Sequence, residues 1–411
     1  MDIKSKFDSL KGQITPMLVF LVIFGILPLN KYLGNPVYDY INLSVGDFFT
    51  EVFIFGLFAL SFALLLGYLG LLCFGQAVFF GAGAFVTAYS VKIFGWGYVP
   101  GVFLAILAAV GIAAGLGLIV KRKFGGIPFT FVSLAILMVF QFLYANAVPS
   151  DYGGGAMGGG MSFSTPPAFF KSIWALRIFE YGVFALLAIL LFVGVYLKVK
   201  DKDFSIGKKV GSLAVVVLLS AGIAFLLHNH FTGIDLPVYR ADAMRYYFSL
   251  SMLMVGYFLV TRVMNSPVGR VWLTIRDDET RTSVLGYNVY SYKFLALIFS
   301  AVLAGLSGAL YVAYSNGVIV SGGYDPMVSI NALIYSVAGG LGTVAGPILG
   351  GGIVIFARRV IYSYIGDLAY VVIGVAFVLM VYFVPKGIVG EWRSRKEKVK
   401  EYLGMGSSGV D

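Results

Sequence analysis

The sequence has 411 residues, of which 59% are hydrophobic and only 12% charged, and its mean hydropathy is +0.90. One soluble core cannot hide so much apolar surface, so the composition indicates an integral membrane protein and excludes an ordinary soluble domain. A net charge of +10 would suit a nucleic-acid partner in a soluble protein, but Lys and Arg gather here in particular loops, as the positive-inside rule describes. We therefore expect no nucleic-acid partner.

Apolar runs of about 20 residues predict an all-α polytopic membrane protein with about 11–12 transmembrane helices, because lipid offers no partner for unpaired backbone groups. The first run follows Lys4, Lys6 and Lys11 and is expected to be a retained anchor. The predicted spans lie near residues 14–29, 51–73, 75–94, 98–120, 128–148, 176–197, 210–227, 246–264, 293–315, 326–340, 344–361 and 367–384.

The basic residues predict an orientation for these spans. A cytoplasmic N-terminus places 22 of the 30 Lys and Arg residues on the inner side. The others fall outside or near outer helix ends: Lys31, Lys92, Lys171, Arg177, Arg240, Arg245, Arg358 and Arg359. We expect a multi-pass protein of the cell (inner) membrane with both termini cytoplasmic.

The stretch from Ser266 to Lys293, called the charged loop below, is the longest strongly polar run between two apolar spans. Ser266 suits the N-cap and Pro267 the first turn of a short amphipathic helix, which Gly286 and Asn288 would close. Such a helix between spans is suited to contacting a soluble partner. A solvated loop is the alternative.

Residues 67–83 and 339–352 are too rich in glycine for plain spans. Glycine either lets helix backbones approach closely or breaks a helix and exposes backbone groups to a pathway. Two comparable breaks in opposite halves also hint at an internal repeat. The polar side chains in or beside them are candidate pathway residues: Gln76, Ser329, Asn331, Tyr335 and Thr343. They would line a solute path or bond one another across helices, and the sequence leaves both open.

The residues needed for several kinds of chemistry are missing. Cys73 is the single cysteine, and no carboxylate or cysteine stands at ligand spacing to complete a metal site with His228 and His230. Phosphate-loop, GxSxG and HExxH motifs are absent, and the spans carry hardly any charge for a proton relay or voltage sensor. We expect neither an enzyme nor a cofactor-binding chain, but a transporter of a small polar solute driven from elsewhere.

Three further segments stand out. The glycine-rich residues 148–167 would be a connector or a cover over an external entrance. Residues 198–245 carry an extra span near 210–227, and their role is open. The basic tail with Trp392 is expected to contact anionic membrane lipid.

Five ordered blocks carry a family resemblance. They are GYLGLLCFGQAVFFGAGAF at 67–85, SPVGRVWLTIRDDETRTSVLGYN at 266–288, YKFLALIFSAVLAGLSGALY at 292–311, VSINALIYSVAGGLGTVAGPILGG at 328–351 and VPKGIVG at 384–390. Together they resemble the permease family of the branched-chain amino-acid ABC importers, the LivH/LivM type, closest to the LivM side.

The resemblance implies an ATP-driven importer half with no cofactor of its own. Its partners would be a second permease, two cytoplasmic ATPases that bind ATP and Mg, and an external or periplasmic solute-binding protein. It implies an anchor and outer loop at 1–50, a permease domain at 51–390 and a basic tail at 391–411. The residues implied to couple to the ATPase are Gly269, Arg270, Arg276, Asp277, Asp278, Glu279 and Gly286.

The sequence departs from the family pattern at several positions. Arg281 and Thr282 replace a customary Ala-Ala pair, while Gln76 and Cys73 stand where His and Ser are usual, and Asn331 replaces a customary Glu. The leading function is import of branched-chain or similar amino acids. The alternatives are an ABC permease for urea or short amides, and an ATP-independent channel or facilitator for a small neutral solute.

Overall fold

The computed structural model describes residues 45–92, 94, 98–120, 126–147, 160–162, 237–315, 317–319, 323–383 and 387–391. The elements in this part of the chain are α1 (Val45–Ala63), α2 (Gln76–Lys92), α3 (Tyr98–Ile119), α4 (Gly126–Ala147), β1 (Gly160–Ser162), α5 (Pro237–Met264), α6 (Pro267–Asp277), α7 (Glu279–Val284), α8 (Val289–Ser315), β2 (Gly317–Ile319), α9 (Pro326–Gly339), α10 (Gly346–Ile365) and α11 (Ala369–Phe383).

Six stretches of the described residues are long and apolar enough to cross a membrane, which confirms the all-α polytopic membrane architecture. They are Gly46–Leu69, Tyr98–Ile119, Gly126–Tyr144, Arg245–Met264, Val289–Ser315 and Gly346–Met380. The predicted spans near 14–29, 176–197 and 210–227 lie outside the described residues. So do His228, His230, Trp392 and almost all of the 148–167 loop.

The chain divides into two compact units, and the division falls inside α1 and inside α5. Unit 1 comprises Met1–Thr50 and Phe169–Met254. In its described part, the rings of Tyr246 and Tyr247 pack edge to face, with centroids 5.3 Å apart. Unit 2 comprises Glu51–Ala168 and Val255–Asp411, and it contains every contact discussed below.

The long stretch Gly346–Met380 is two antiparallel helices rather than one. Gly366, at φ 58°, ends α10, and a short 3-10 turn leads into α11. Gly346 at the start of α10 and Gly387 beyond α11 both lie against Gly340, so the chain returns to where it began. The 20 residues of α10 span about 30 Å, the thickness of a bilayer core. This agrees with the two separate spans predicted at 344–361 and 367–384.

Glycines allow α2 and α8 to pack with their backbones in contact. A side chain at Gly83 would overlap the backbone of Gly305, and one at Gly308 would overlap the carbonyl of Phe80. Gly111 on α3, in contrast, has nothing within 4 Å of the position of a Cβ. Close packing is therefore the use of glycine along α2, as small residues allow between membrane helices.

The helices are interrupted at both predicted glycine-rich stretches. Directly after α1, residues Leu64–Leu69 continue the helix as a π-helical turn, which ends at Gly70, whose φ of 76° lies in the left-handed region. Residues 70–75 are not helical, and α2 begins at Gln76. A second interruption, residues 340–345, separates α9 from α10. Before α9, β2 pairs antiparallel with β1, and Gly160 lies opposite Ile319.

Candidate functional site

The start of α9 closes the break before α2. The Ser329 hydroxyl accepts a hydrogen bond from the Ala77 amide at 2.9 Å and donates to the Phe74 carbonyl at 2.6 Å. The first amides of a helix have no partner within the helix, so a side chain must supply one where water is absent. One hydroxyl of α9 thus satisfies backbone groups on both sides of the junction.

Helix α4 supplies two more hydroxyls to the same break. Ser133 Oγ accepts from the Phe74 amide at 3.1 Å, and Thr130 Oγ1 donates to the Leu72 carbonyl at 3.0 Å. The irregular backbone is therefore bonded to protein, as expected for a broken helix inside an apolar bundle.

Gln76 has one buried amide atom without a partner. Its Nε2 donates to Ser300 Oγ at 2.6 Å, and Ser300 Oγ donates to the Ser61 carbonyl at 2.8 Å. Because Ser300 gives its only hydroxyl hydrogen to Ser61, it accepts from Gln76, and this fixes the amide orientation. Oε1 is then a buried acceptor with no hydrogen-bond partner in the described part of the chain. Leaving such a group unpaired costs about 1–3 kcal/mol.

The other pathway candidates lie farther along α9 and beyond it. Asn331 is partly exposed, and Tyr335 is buried with its ring 6.3 Å from that of Phe55. Thr343 Oγ1 accepts from the Gly346 amide at 3.1 Å and donates to the Gly340 carbonyl, so it bonds the first residue of α10 and the start of the interruption before it. The structure therefore brings together Gln76 and Ser329, while Thr343 holds the other break. Their place in a solute path stays a prediction.

The charged loop folds as two short helices rather than one. Asp278 separates α6 from α7 and caps α7, with its Oδ1 accepting from the Arg281 amide at 2.9 Å. Ser266 occupies the N-cap position of α6, but the predicted capping bond is wrong. Its hydroxyl donates instead to the Val263 carbonyl at 2.6 Å, which belongs to the preceding helix. Gly286 follows α7 at φ 88°, where a residue without Cβ is favoured.

The apolar face of α6 fastens the charged loop to the membrane helices. Trp272 is fully buried, and its Nε1 donates to the Tyr292 carbonyl at 3.0 Å. A side chain at Gly269 would come within 2.6 Å of the Val263 carbonyl, so this glycine permits the tight turn out of α5. Arg270 and Asp277 remain exposed.

Arg276 connects the charged loop to the first break. Its Nη1 donates to the Gly67 carbonyl in the π-helical turn of α1, and its Cγ would lie 3.3 Å from a Cβ at Gly70. The guanidinium therefore contacts the membrane helices rather than pointing away from them. Its predicted coupling role stays a prediction, with a geometry that the sequence pattern did not reveal.

Glu279 has a partner within the chain. Its Oε2 lies 2.6 Å from Nζ of Lys293, whose side chain is only 2% exposed, whereas that of Glu279 is 55% exposed. The ion pair links α7 to the first turns of α8. A role of Glu279 in docking a partner would have to coexist with this contact.

An apolar tip begins at Val284, the last residue of α7, and sequence reasoning missed it. Val284 is 83% exposed, Leu285 is 67% exposed and Tyr287 is also exposed. In the sequence these apolar residues come directly after the polar residues of α7. This abrupt change from polar to apolar residues was the signal that could have revealed the tip.

A charged cluster at the far ends of α8 and α10 was also missed. Both Arg358 and Arg359 bond the carboxylate of Glu51 on α1, and Arg359 Nη2 lies 3.0 Å from the Tyr314 hydroxyl. The positive-inside pattern predicts both arginines near an outer helix end, and the predicted spans carry hardly any charge. Glu51 at the edge of a predicted span was the signal for such a pair.

Among the described residues, no group of three or more His, Cys, Asp or Glu side chains could hold a metal ion, and Cys73 is a buried free thiol.

Broken, glycine-packed membrane helices joined to a polar helical loop are features of a membrane transport protein. The chain matches the model of the branched-chain amino acid transport system permease component over residues 44–381 and belongs to that family. It is 26% identical over 144 residues to LivM, the high-affinity branched-chain amino acid transport system permease protein, of both Salmonella typhimurium and Escherichia coli. Each of these matches covers 35% of this chain and 33% of the relative.

A probable LivM of Methanocaldococcus jannaschii is 23% identical over 148 residues, which cover 33% of this chain and 43% of the relative. The matched region thus spans a third to less than half of the length of these curated relatives. No solved structure matches.

Proposed function

We propose that this chain is the permease subunit of an ATP-driven ABC importer that moves branched-chain or similar amino acids across the inner membrane. Its partners are a second permease, two cytoplasmic ATPases that bind ATP and Mg, and an external or periplasmic solute-binding protein. Family membership over residues 44–381 supports the transport role, and the names of the LivM relatives support branched-chain amino acids as the solute class.

The observation that carries the proposal is the bond between the charged loop and the first break. Trp272 holds α6 against the start of α8, so α6 moves as part of the membrane domain. Arg276 then bonds the Gly67 carbonyl three residues before Gly70, where regular helix ends. A displacement of α6 by a soluble partner is therefore transmitted to the end of α1.

The same point adjoins the second break. Gly67 lies against the Leu341 carbonyl, which belongs to the interruption between α9 and α10. One guanidinium thus acts where the interruptions at 70–75 and 340–345 come together. This arrangement supports a mechanism in which ATP-driven movement of the charged loop changes both interruptions at once.

A polar solute would form hydrogen bonds at the start of α2. The Gln76 Oε1 atom is an acceptor without a partner, so an N–H group of a passing solute would remove the cost of leaving it unpaired. Ser329 on α9 accepts a hydrogen bond from the backbone amide of Ala77, the residue after Gln76. We assign Gln76, Ser329, Asn331 and Tyr335 to the lining of the pathway. Thr343 stabilises the interruption at 340–345 beside it.

The apolar tip is the docking face for the ATPase. Val284 and Leu285 expose apolar side chains beside the polar surface of α7, and burying them in a groove of a soluble subunit would release their hydration water. Arg270 and Asp277, which are exposed on α6 of the same loop, would add charges that orient the contact.

The test uses the whole complex, expressed with its partner subunits. A Val284→Asp, Leu285→Asp double variant is expected to reach the membrane normally but to lose copurifying ATPase and ATP-driven leucine uptake, because two carboxylates would be buried in an apolar groove. Ser283→Asp, an exposed neighbour in α7, is the matched control and should behave as wild type.

Two results would contradict the proposal. Wild-type ATPase recovery with the double variant would show that the tip does not dock. Leucine or urea uptake by the wild-type chain without ATP would indicate a facilitator, and ATP-driven uptake of urea but not leucine would favour the amide alternative.

A further inference from the structure

Aromatic rings from four helices meet in one cluster. Phe55 of α1 stacks on Phe80 of α2, with ring centroids 6.0 Å apart. Phe55 also lies 5.8 Å from the ring of Tyr311 on α8 and 6.3 Å from that of Tyr335 on α9. The ring of Phe80 is 5.5 Å from Tyr311 and 4.9 Å from Phe58 of α1. These five side chains are called the ring cluster below.

The ring cluster lies between Gln76 and the far end of α8. Gln76 bonds Ser300, which stands near the middle of the 27 residues of α8. Tyr311 is about three helical turns farther along, close to the last residue, Ser315. On the orientation that the basic residues predict, α8 runs outward from the charged loop, so this end is external. A solute that enters from outside therefore meets the rings before it meets Gln76.

The cluster extends from an accessible surface to a buried polar group. Phe55 and Tyr311 are partly exposed, whereas the other three rings are at most 1% exposed. Phe80 is one helical turn beyond Gln76 on α2. Gln76 Oε1 is the buried acceptor that has no hydrogen-bond partner in the described part of the chain. The rings therefore stand between this acceptor and any donor that arrives from the external side.

The helix backbones around the cluster are held together, so moving whole helices apart is costly. A side chain at Gly308 of α8 would overlap the carbonyl of Phe80 on α2. Ser307 Oγ of α8 donates to the Ile54 carbonyl of α1 at 2.6 Å, and lipid offers no replacement for that bond. A phenylalanine ring, in contrast, rotates about its side-chain torsions without leaving a polar group unpaired. Ring rotation is therefore the less costly way to open this region.

We propose that Phe55, Phe80 and Tyr311 form the outer gate of the solute pathway, that the gate is closed in this structure, and that rotation of the Phe80 ring gives access to Gln76. The proposal rests on the transport function proposed above and adds the step that controls entry from outside. It also assigns to Phe80 a role beyond the packing of α2 against its neighbours.

The test measures how fast a thiol behind the gate reacts with an impermeant reagent added to intact cells. The reporter is Ser300→Cys in a Cys73→Ser background, expressed with the partner subunits, because Ser300 is fully buried and bonds Gln76. With the rings intact the reporter is expected to react slowly. Adding Phe80→Ala should raise the labelling rate about tenfold or more, since deleting a buried ring leaves a cavity at the gate.

Phe79→Ala is the matched control. Phe79 is the neighbouring residue on α2 and is 0% exposed, but among the described residues it takes part in none of the ring contacts of the cluster. Its loss removes a ring of the same size, so a general loosening of the bundle would raise labelling in both variants. A gate predicts the rise in Phe80→Ala alone.

A second measurement does not depend on removing a buried ring. A Phe55→Cys, Tyr311→Cys double variant in the Cys73→Ser background is treated with a short, reducible bifunctional thiol reagent, since both positions are partly exposed. The bridge would close the gate, so ATP-driven leucine uptake is expected to be lost and to return when the bridge is reduced. Each single variant, treated in the same way, should keep the uptake that it had before treatment.

Each contrary result has a separate meaning. Equal labelling of the reporter with and without the Phe80 ring, or an equal rise in the Phe79 control, overturns the gate. Full uptake by the bridged variant also overturns it, and this result decides the matter if Phe80→Ala does not assemble. Labelling requires neither ATP nor a particular solute. If labelling follows the expected pattern but wild type does not import leucine with ATP, the gate is supported and the proposed function fails.

Discussion

Lys293 is a buried lysine at the base of the charged loop, and its ammonium lies 2.6 Å from the Glu279 carboxylate. Removing one member of a buried pair strands the other without compensation. Glu279 is more than half exposed, so solvent screens the pair and its contribution is about 1–3 kcal/mol rather than the full value for a buried pair. The main structural role of Glu279 is therefore an ion pair that holds α7 against α8.

We expect Glu279→Lys to abolish ATP-driven uptake while membrane insertion stays intact, because two ammonium groups would then face each other at the base of α7. The double variant Glu279→Lys, Lys293→Glu should recover a large part of the uptake, since it restores an ion pair of opposite polarity. Uptake and copurifying ATPase are measured for both variants in the same vesicles.

A double variant no better than Glu279→Lys alone would contradict the internal role. It would indicate that the carboxylate itself is needed at position 279 by a partner. Wild-type uptake in the single variant would remove Glu279 from coupling altogether.

Single residues were predictable where their role is local. Three features follow directly from backbone preferences: Pro267 at the start of α6, Gly286 in a left-handed turn, and the end of the helix at Gly70. The bond of Arg276 to Gly67 joins residues 209 positions apart, so no local pattern could reveal it. The Glu51 cluster escaped prediction for the same reason, since its arginines are more than 300 residues away.

At the scale of elements, the first turn of α9 lies against the first turn of α2. The Ser329 hydroxyl of α9 hydrogen-bonds the backbone at the start of α2. Hydropathy located the helices well because a bilayer imposes one length on all of them. Their interruptions were predictable from glycine. Hydropathy could not identify the partner of each interrupted end, because Ser133 and Ser329 are ordinary hydroxyls in sequence and become specific only through packing.

We expect Gln76→Leu and Asn331→Leu each to reduce uptake sharply with little loss of assembled complex. An apolar wall at the start of α2 and along α9 would offer a polar solute no replacement for its water. Uptake in vesicles is compared with basal ATP hydrolysis of the same preparations. Gln141→Leu, an amide on α4 beyond the break, is the matched control and should transport normally.

Undiminished uptake in both leucine variants would exclude Gln76 and Asn331 from the pathway. The hydroxyl and amide bonds at the break would then serve helix packing alone. Equal losses in the Gln141 control would instead indicate a general effect on the bundle.

At the scale of the whole molecule, the distribution of basic residues predicts the orientation. Inverting one span would place an entire basic loop on the wrong side, which the 22 inner residues among 30 make unfavourable. Cys73 is the one cysteine in the sequence and is buried, so a Cys73→Ser background is suitable for labelling.

We expect an impermeant thiol reagent on intact cells to label Gly155→Cys but not Lys202→Cys or Val284→Cys. The last two should react only after the membrane is opened. Positions 155 and 202 lie outside the described residues, whereas Val284 is 83% exposed at the apolar tip. Labelling of Val284→Cys from outside would contradict the predicted topology and place the charged loop outside.

The bonds of the Ser329 hydroxyl also imply an order in which the helices pack during synthesis and membrane insertion. The hydroxyl bonds Phe74 and Ala77, which emerge from the ribosome about 250 residues earlier. Thr130 and Ser133 arrive sooner and bond Leu72 and the Phe74 amide, so half of the break is closed once α4 has entered the membrane. The Phe74 carbonyl and the Ala77 amide must wait for α9. Until then these two backbone groups lack their final hydrogen-bond partner. Insertion of α9 is therefore the step that completes the packing of the bundle.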